Sequence, residues 1–211
     1  MQRKRPDFRL CLVTDRPLCL GRPLIPLICA AVKGGADAVQ LREKNCATRE
    51  FIALARAVKR AVKIPLIIND RADVALACRA DGLHIGQTDM LYEDARRLLG
   101  PRAIIGLTVD TPAQARAAEK LDVDYLGISP VFSTATKNTV SPPWGLDGIR
   151  RLRAVSRHRL IAIGGICVSN AAAAVSTGAD GVAAVSAICS AKNPERAAAE
   201  IAAAIKRGLR L

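Results

Sequence analysis

LIINDRADVALACRADGLHI, residues 66–85, holds the unit from which the fold can be read. Leu66 to Ile68 is a short apolar run, Asn69-Asp70 closes it, an Ala- and Arg-rich stretch of helical composition follows, and Gly82 to Ile85 is a second short run. Short runs that are apolar on both faces, separated by a helix-length segment, are the pattern of parallel strands covered by helices. Working outward, similar runs recur at Leu10 to Val13, Ala38 to Leu41, Ile104 to Leu107, Tyr125 to Ile128, Leu160 to Ile163 and Val182 to Val185, which makes eight expected strands. Helical stretches lie between them, such as Arg49 to Val62, Pro112 to Leu121 and Pro194 to Lys206. Asn193 before Pro194 and Glu195 is an N-cap signal, with proline at the first helical position and an acid in the first turn. Eight alternations in 211 residues predict a single-domain α/β protein, a (β/α)8 TIM barrel, with an open doubly wound sheet as the second choice. The domain is expected to span 1–211, with a basic tail over 1–8. The spacing is broken once, between Ile128 and Ile163, where Ser129 to Gly145 reads as a long loop on the active-site face.

No apolar run reaches the ~18 residues of a membrane span. Gln2-Arg3-Lys4-Arg5 is like the basic start of a signal peptide, but Asp7, Arg9, Asp15 and Arg16 interrupt any apolar stretch after it. A soluble, cytoplasmic protein with no membrane partner is expected. The seven cysteines are scattered without a Cys-x-x-Cys pair and read mostly as small buried hydrophobes of a reducing compartment. The net charge of +13 is spread along helices, and aromatics are 3% of residues, so no stacking platform for a nucleic acid strand is supported. Basic charge still favours small phosphorylated ligands.

Chemistry concentrates at the expected carboxyl ends of strands. In Gln40-Leu41-Arg42-Glu43-Lys44 an extended backbone puts 40, 42 and 44 on one side and Leu41 and Glu43 on the other. One amide and two cations then face one place, as a diphosphate requires. A surface strand end, with Glu43 paired to a neighbouring cation, accounts for the same run. Asp70 and Asp89 end adjacent strands ~4.8 Å apart, a carboxylate pair of the kind that holds Mg2+ with substrate phosphate completing the shell. Helix capping by Asp89 and pairing of Asp70 with Arg71 are the alternatives. Gly164-Gly165 and Ser186 follow the seventh and eighth runs, where barrels often cradle phosphate; a tight corner explains the glycines otherwise. His84 and His158, the only histidines, have no metal-ligand spacing, which favours structural or surface roles.

These residues resemble the thiamine phosphate synthase family. The similarity runs from Leu12-Val13-Thr14-Asp15 to Val185-Ser186-Ala187-Ile188. It is carried by Gln40 to Lys44, Ile68-Asn69-Asp70, Asp81-Gly82-Leu83-His84-Ile85-Gly86-Gln87-Thr88-Asp89, and Tyr125-Leu126-Gly127 through Thr134-Ala135-Thr136-Lys137. The resemblance implies a TIM-barrel transferase that joins a pyrimidine diphosphate to a thiazole phosphate and releases pyrophosphate, with Mg2+ as cofactor. It implies that Gln40, Arg42, Lys44, Asn69 and Lys137 bind the pyrimidine diphosphate, with Leu41, Glu43 and Thr108 among the substrate-binding positions. Arg42, Lys44 and Lys137 become the catalytic cations, and Asp70 and Asp89 the metal ligands. Thr134, Thr136, Gly165, Val185 and Ser186 would bind the thiazole phosphate. The chain departs from the family at Gly106-Leu107-Thr108, where Gly-x-Ser is usual, at Asp110, where histidine is often seen, and over Asn138 to Trp144, which follows no family pattern. A thiazole tautomerase relative, or a non-catalytic phosphate-binding barrel, is the competing expectation. Oligomeric state is left open.

Overall fold

A computed structural model of the chain describes residues 7–134 and 141–210. Strand and helix alternate as β1 (Leu10–Val13), α1 (Leu24–Lys33), β2 (Ala38–Leu41), α2 (Thr48–Ala61), β3 (Leu66–Asn69), α3 (Ala72–Cys78), β4 (Gly82–Ile85) and α4 (Tyr92–Leu99). The second half continues as β5 (Ile104–Val109), α5 (Pro112–Ala118), β6 (Tyr125–Ile128), α6 (Gly145–Arg153), β7 (Arg159–Ile163), α7 (Ala171–Ser176), β8 (Gly181–Ala184), α8 (Ser186–Cys189) and α9 (Pro194–Gly208). The eight strands pair in chain order, all parallel, and β1 closes on β8, so the sheet is a barrel and not an open sheet. One expected boundary is corrected. Val185 does not end the last strand; it follows the final pairing of Leu12 with Ala184, and its backbone turns away (ψ −89°) to cap α8.

Closure gives each strand two buried faces. Outward side chains such as Leu12, Leu41, Ile68 and Leu83 pack under the helices, and each such burial contributes about 1.5–3 kcal/mol. Inward ones, Cys11, Val13, Ala38, Tyr125, Ile161 and Ala183, fill the barrel with Phe8. The Phe8 ring meets Tyr125 edge-on at 5.2 Å, so the basic tail expected over 1–8 is shorter than that at its inner end. Helix α2 shows how the outer ring attaches: Phe51, Ala55 and Val58, four and three residues apart, are its buried stripe. Helix α5 starts with a reciprocal capping box between Thr111 and Gln114, and the Asn193 side chain caps α9 on the N–H of Arg196.

The amino ends of the strands carry a repeat that the apolar runs conceal. An aspartate immediately precedes each even-numbered strand: Asp37, Asp81, Asp124 and Asp180. Each carboxylate accepts from a backbone N–H at the start of the preceding odd strand, Leu10 at 2.9 Å, Leu66 at 2.9 Å, Ile105 at 2.8 Å and Leu160 at 2.8 Å. Each aspartate N–H donates back to the carbonyl of that same residue. The barrel floor is thus tied four times by one device, at the face where stability is built, leaving the carboxyl ends for chemistry. Among the described residues, no helix is long and apolar enough to cross a membrane.

Candidate active site

The carboxyl ends of the strands open into a cavity of about 490 Å3. The strand ends and the loops just after them decide what faces it, and β2 ends at Leu41, so Arg42 to Lys44 belong to its loop. Gln40, Arg42 and Lys44 line it, while Leu41 is buried in the outer core and the Glu43 side chain turns away to Arg16 at 3.0 Å. The surface-pairing reading of Glu43 therefore holds alongside a cationic run that faces inward. Arg42 is braced: its guanidinium meets Asp15 at 2.5 Å and its N–H donates to Thr14 Oγ1 at 2.9 Å. A guanidinium fixed on one side presents its remaining donors to the cavity in a set direction.

Beside them, at the ends of the neighbouring strands, lie Asn69, Asp70 and Asp89. Asp70 sits in a left-handed conformation (φ 61°) just after β3, and its N–H donates to the His84 carbonyl at 2.8 Å on β4. Its carboxylate accepts from Lys44, while Arg71 pairs with Asp73 instead. Asp89 folds back on the turn after β4, accepting from the Gly86 N–H at 2.7 Å. Burial and the adjacent Asp70 carboxylate raise its carboxyl above the usual carboxylate range. Two neighbouring carboxylates could hold a divalent cation, which would relieve their repulsion. Among the described residues no group of three or more His, Cys, Asp or Glu side chains that could hold a metal ion occurs.

The far wall contains Thr134, Gly164, Gly165, Val185 and Ser186. Gly165 has φ 65°, and a side chain there would meet the Ser133 carbonyl at 2.6 Å, so glycine is required by the loop that crosses it as well as by the turn. Thr136 and Lys137 lie outside the described residues. Thr108, at the end of β5, also faces the cavity, with its carbonyl held by Gln87 Nε2 at 2.6 Å.

Sequence reasoning missed His84, Gln87, Thr88, Asp110, Gln114, Ser129 and Ser141 as cavity residues. His84 was legible as an inward position from strand alternation, and Gln114 from the Thr-Pro-Ala-Gln capping signature that fixes the start of α5. The turn and loop residues had no periodic signal to expose them. His158 is buried, with Nε2 3.1 Å from the Ala118 carbonyl, well away from the cavity.

A family model described as thiamine monophosphate synthase matches residues 10–188, a span that begins at β1 and ends in α8. The chain belongs to the thiamine monophosphate synthase family. The thiamine-phosphate synthase of Albidiferax ferrireducens is 51% identical over 190 residues, covering 89% of this chain and 87% of that protein. That of Leptospira biflexa is 48% identical over 193 residues, 88% of this chain and 92% of its own. Among solved structures, a thiamine phosphate pyrophosphorylase from Pyrococcus furiosus superposes with a TM-score of 0.88 at 35% identity, over 97% of this chain and 98% of that one. Membership of the thiamine monophosphate synthase family makes the protein a transferase of thiamine biosynthesis, and the closed eight-stranded barrel is the shared fold.

Proposed function

We propose that the chain condenses 4-amino-2-methyl-5-(diphosphooxymethyl)pyrimidine with 4-methyl-5-(2-phosphooxyethyl)thiazole, or with its carboxylated form and loss of CO2, to give thiamine phosphate and pyrophosphate. The observation that carries this reading is the inward-facing set Gln40, Arg42 and Lys44 beside the Asp70 and Asp89 pair in one cavity, with Lys44 in contact with Asp70. The pyrimidine amino group donates electron density into the ring, so the exocyclic C–O bond can break with its electron pair leaving on the diphosphate. The ring then carries a methylene cation, and the thiazole nitrogen lone pair forms the new C–N bond. Asp70 and Asp89 would hold Mg2+, which would supply neutralisation of the diphosphate charge when bound.

This chain's own residues do the rest. Arg42 and Lys44, with Lys137 assigned from sequence resemblance alone, hold the departing diphosphate, and preorganised cations are worth most where water is excluded. Gln40 and Asn69 orient the pyrimidine diphosphate. Thr134, Gly165, Val185 and Ser186, with Thr136 by resemblance, hold the thiazole phosphate at the opposite wall. No protein nucleophile is needed. A thiazole tautomerase would need neither the cationic run nor the carboxylate pair, and a non-catalytic phosphate-binding barrel would bind phosphate without metal.

Mass-spectrometric detection of thiamine phosphate from both substrates tests the reading. Product is expected with Mg2+ and should be lost with chelator. A folded sample that yields none under either condition would favour the tautomerase or binding-barrel alternative.

A further inference from the structure

At the floor of the cavity, three largely buried side chains from neighbouring strands form a chain of hydrogen bonds. His84 on β4 contacts the Tyr125 hydroxyl with Nδ1 at 2.9 Å and Thr108 Oγ1 with Nε2 at 2.7 Å. The His84 and Tyr125 rings stack at 5.4 Å with an interplanar angle of 27°. Space for this arrangement is built into the sheet. A side chain at Gly106 would strike the Tyr125 ring at 2.1 Å, and one at Gly127 would press the His84 ring at 3.1 Å. The strand register sets His84 beside Gly106, Gly106 beside Tyr125 and Thr108 beside Gly127. His84 is thus held by partners on β5 and β6, and one of them, Thr108, is exposed to the cavity.

The direction of the hydrogens follows from the ends of the chain. Tyr125 is fully buried, burial raises its hydroxyl well above the usual phenol range, and so it keeps its hydrogen. A diphosphate offers only acceptors, so a Thr108 hydroxyl that binds it gives its hydrogen to the diphosphate and takes one from His84 Nε2, 2.7 Å away. The phenol hydrogen is left for His84 Nδ1. A neutral imidazole that accepts at Nδ1 carries its hydrogen on Nε2 and donates it to Thr108 Oγ1. The Thr108 hydroxyl hydrogen, unable to point back at a donor, turns to the cavity.

We infer that His84 is a positioning residue that makes the Thr108 hydroxyl a donor toward the diphosphate oxygens of the bound substrate. The inference rests on the synthase reading above, which supplies the acceptor, and the state of the ring can be measured without turnover. His84→Asn loses the donor at the Nε2 position, whereas the amide of His84→Gln reaches it. Thr108→Val removes the hydroxyl and keeps the branched shape.

A double-mutant cycle on kcat/KM for the pyrimidine diphosphate tests the coupling. His84→Asn should cost about 10- to 100-fold with Thr108 present, the scale of a misplaced reacting group. It should cost little in the Thr108→Val background, and His84→Gln should recover most of the loss. Additive losses would overturn the inference, since a merely structural histidine destabilises both backgrounds alike. The wild-type ring tautomer, read by long-range 1H–15N NMR, gives a second test independent of turnover. With only two histidines in the chain, the signals lost in His84→Gln assign it. Hydrogen on Nε2 alone is expected; hydrogen on Nδ1 would overturn the inference. If the wild type makes no thiamine phosphate, the synthase reading fails and the tautomer decides this inference.

Discussion

Arg42 is the side chain whose setting says most about the chemistry. Its backbone N–H is held by Thr14 and its guanidinium by Asp15, both on the loop after β1, so the donors left over point into the cavity without further ordering. Arg42→Ala should lower kcat by about 100-fold or more, the effect of deleting one preorganised charge-stabilising donor. Arg42→Lys should rescue it poorly, because an ammonium cannot keep the Asp15 contact and grip a phosphate as a planar fork does. Steady-state rates of thiamine phosphate formation check both, and a lysine variant with near wild-type kcat would contradict the bracing role. The alternation of the 40–44 run made this group legible beforehand. What it could not reveal was Asp15, 27 positions away, because that contact exists only where β1 lies beside β2.

Among elements, the repeated aspartate ties at the strand starts are equal in pattern and unequal in setting. Asp124 is wholly buried, bonded to the Ile105 N–H and paired with Arg96 at 3.2 Å, whereas the Asp81 side chain is 42% exposed beside Lys59. Asp124→Ala leaves a largely buried guanidinium and a buried N–H without their acceptor and should cost about 3 kcal/mol or more. Asp81→Ala lets water replace the carboxylate and should cost about 1 kcal/mol. Urea unfolding midpoints of the two variants measure the difference, and equal losses would show that burial does not set the strength of the tie. Strand positions were readable because apolar runs of four to six residues survive as local signals. The turn of Val185 out of β8 and the crossing of Gly165 by the Ser133 carbonyl were not, since each depends on a neighbour distant in sequence.

Across the molecule, burial also sets thiol reactivity. Cys11, Cys19, Cys78 and Cys189 are buried and Cys29, Cys46 and Cys167 half-buried, with burial pushing Cys11 and Cys189 up to about 12. Alkylation of the native protein at pH near 7 should therefore modify at most the three half-buried cysteines, and all seven after denaturation, as counted by intact mass. Rapid labelling of Cys11 or Cys189 would mean that the barrel opens. Periodicity and composition were enough to specify the eight strands, their alternation with helices and the inward side of the Gln40 to Lys44 run, because each is a property of a short window of chain. The pairing of β1 with β8 chose the barrel over the open sheet. Closure and register decided the rest: the meeting of Asp70 with Asp89, the bracing of Arg42 by Asp15, and the line from Tyr125 through His84 to Thr108. A residue's neighbours across a sheet are fixed by how strands are packed and staggered, and that information belongs to the whole barrel and not to any segment of it.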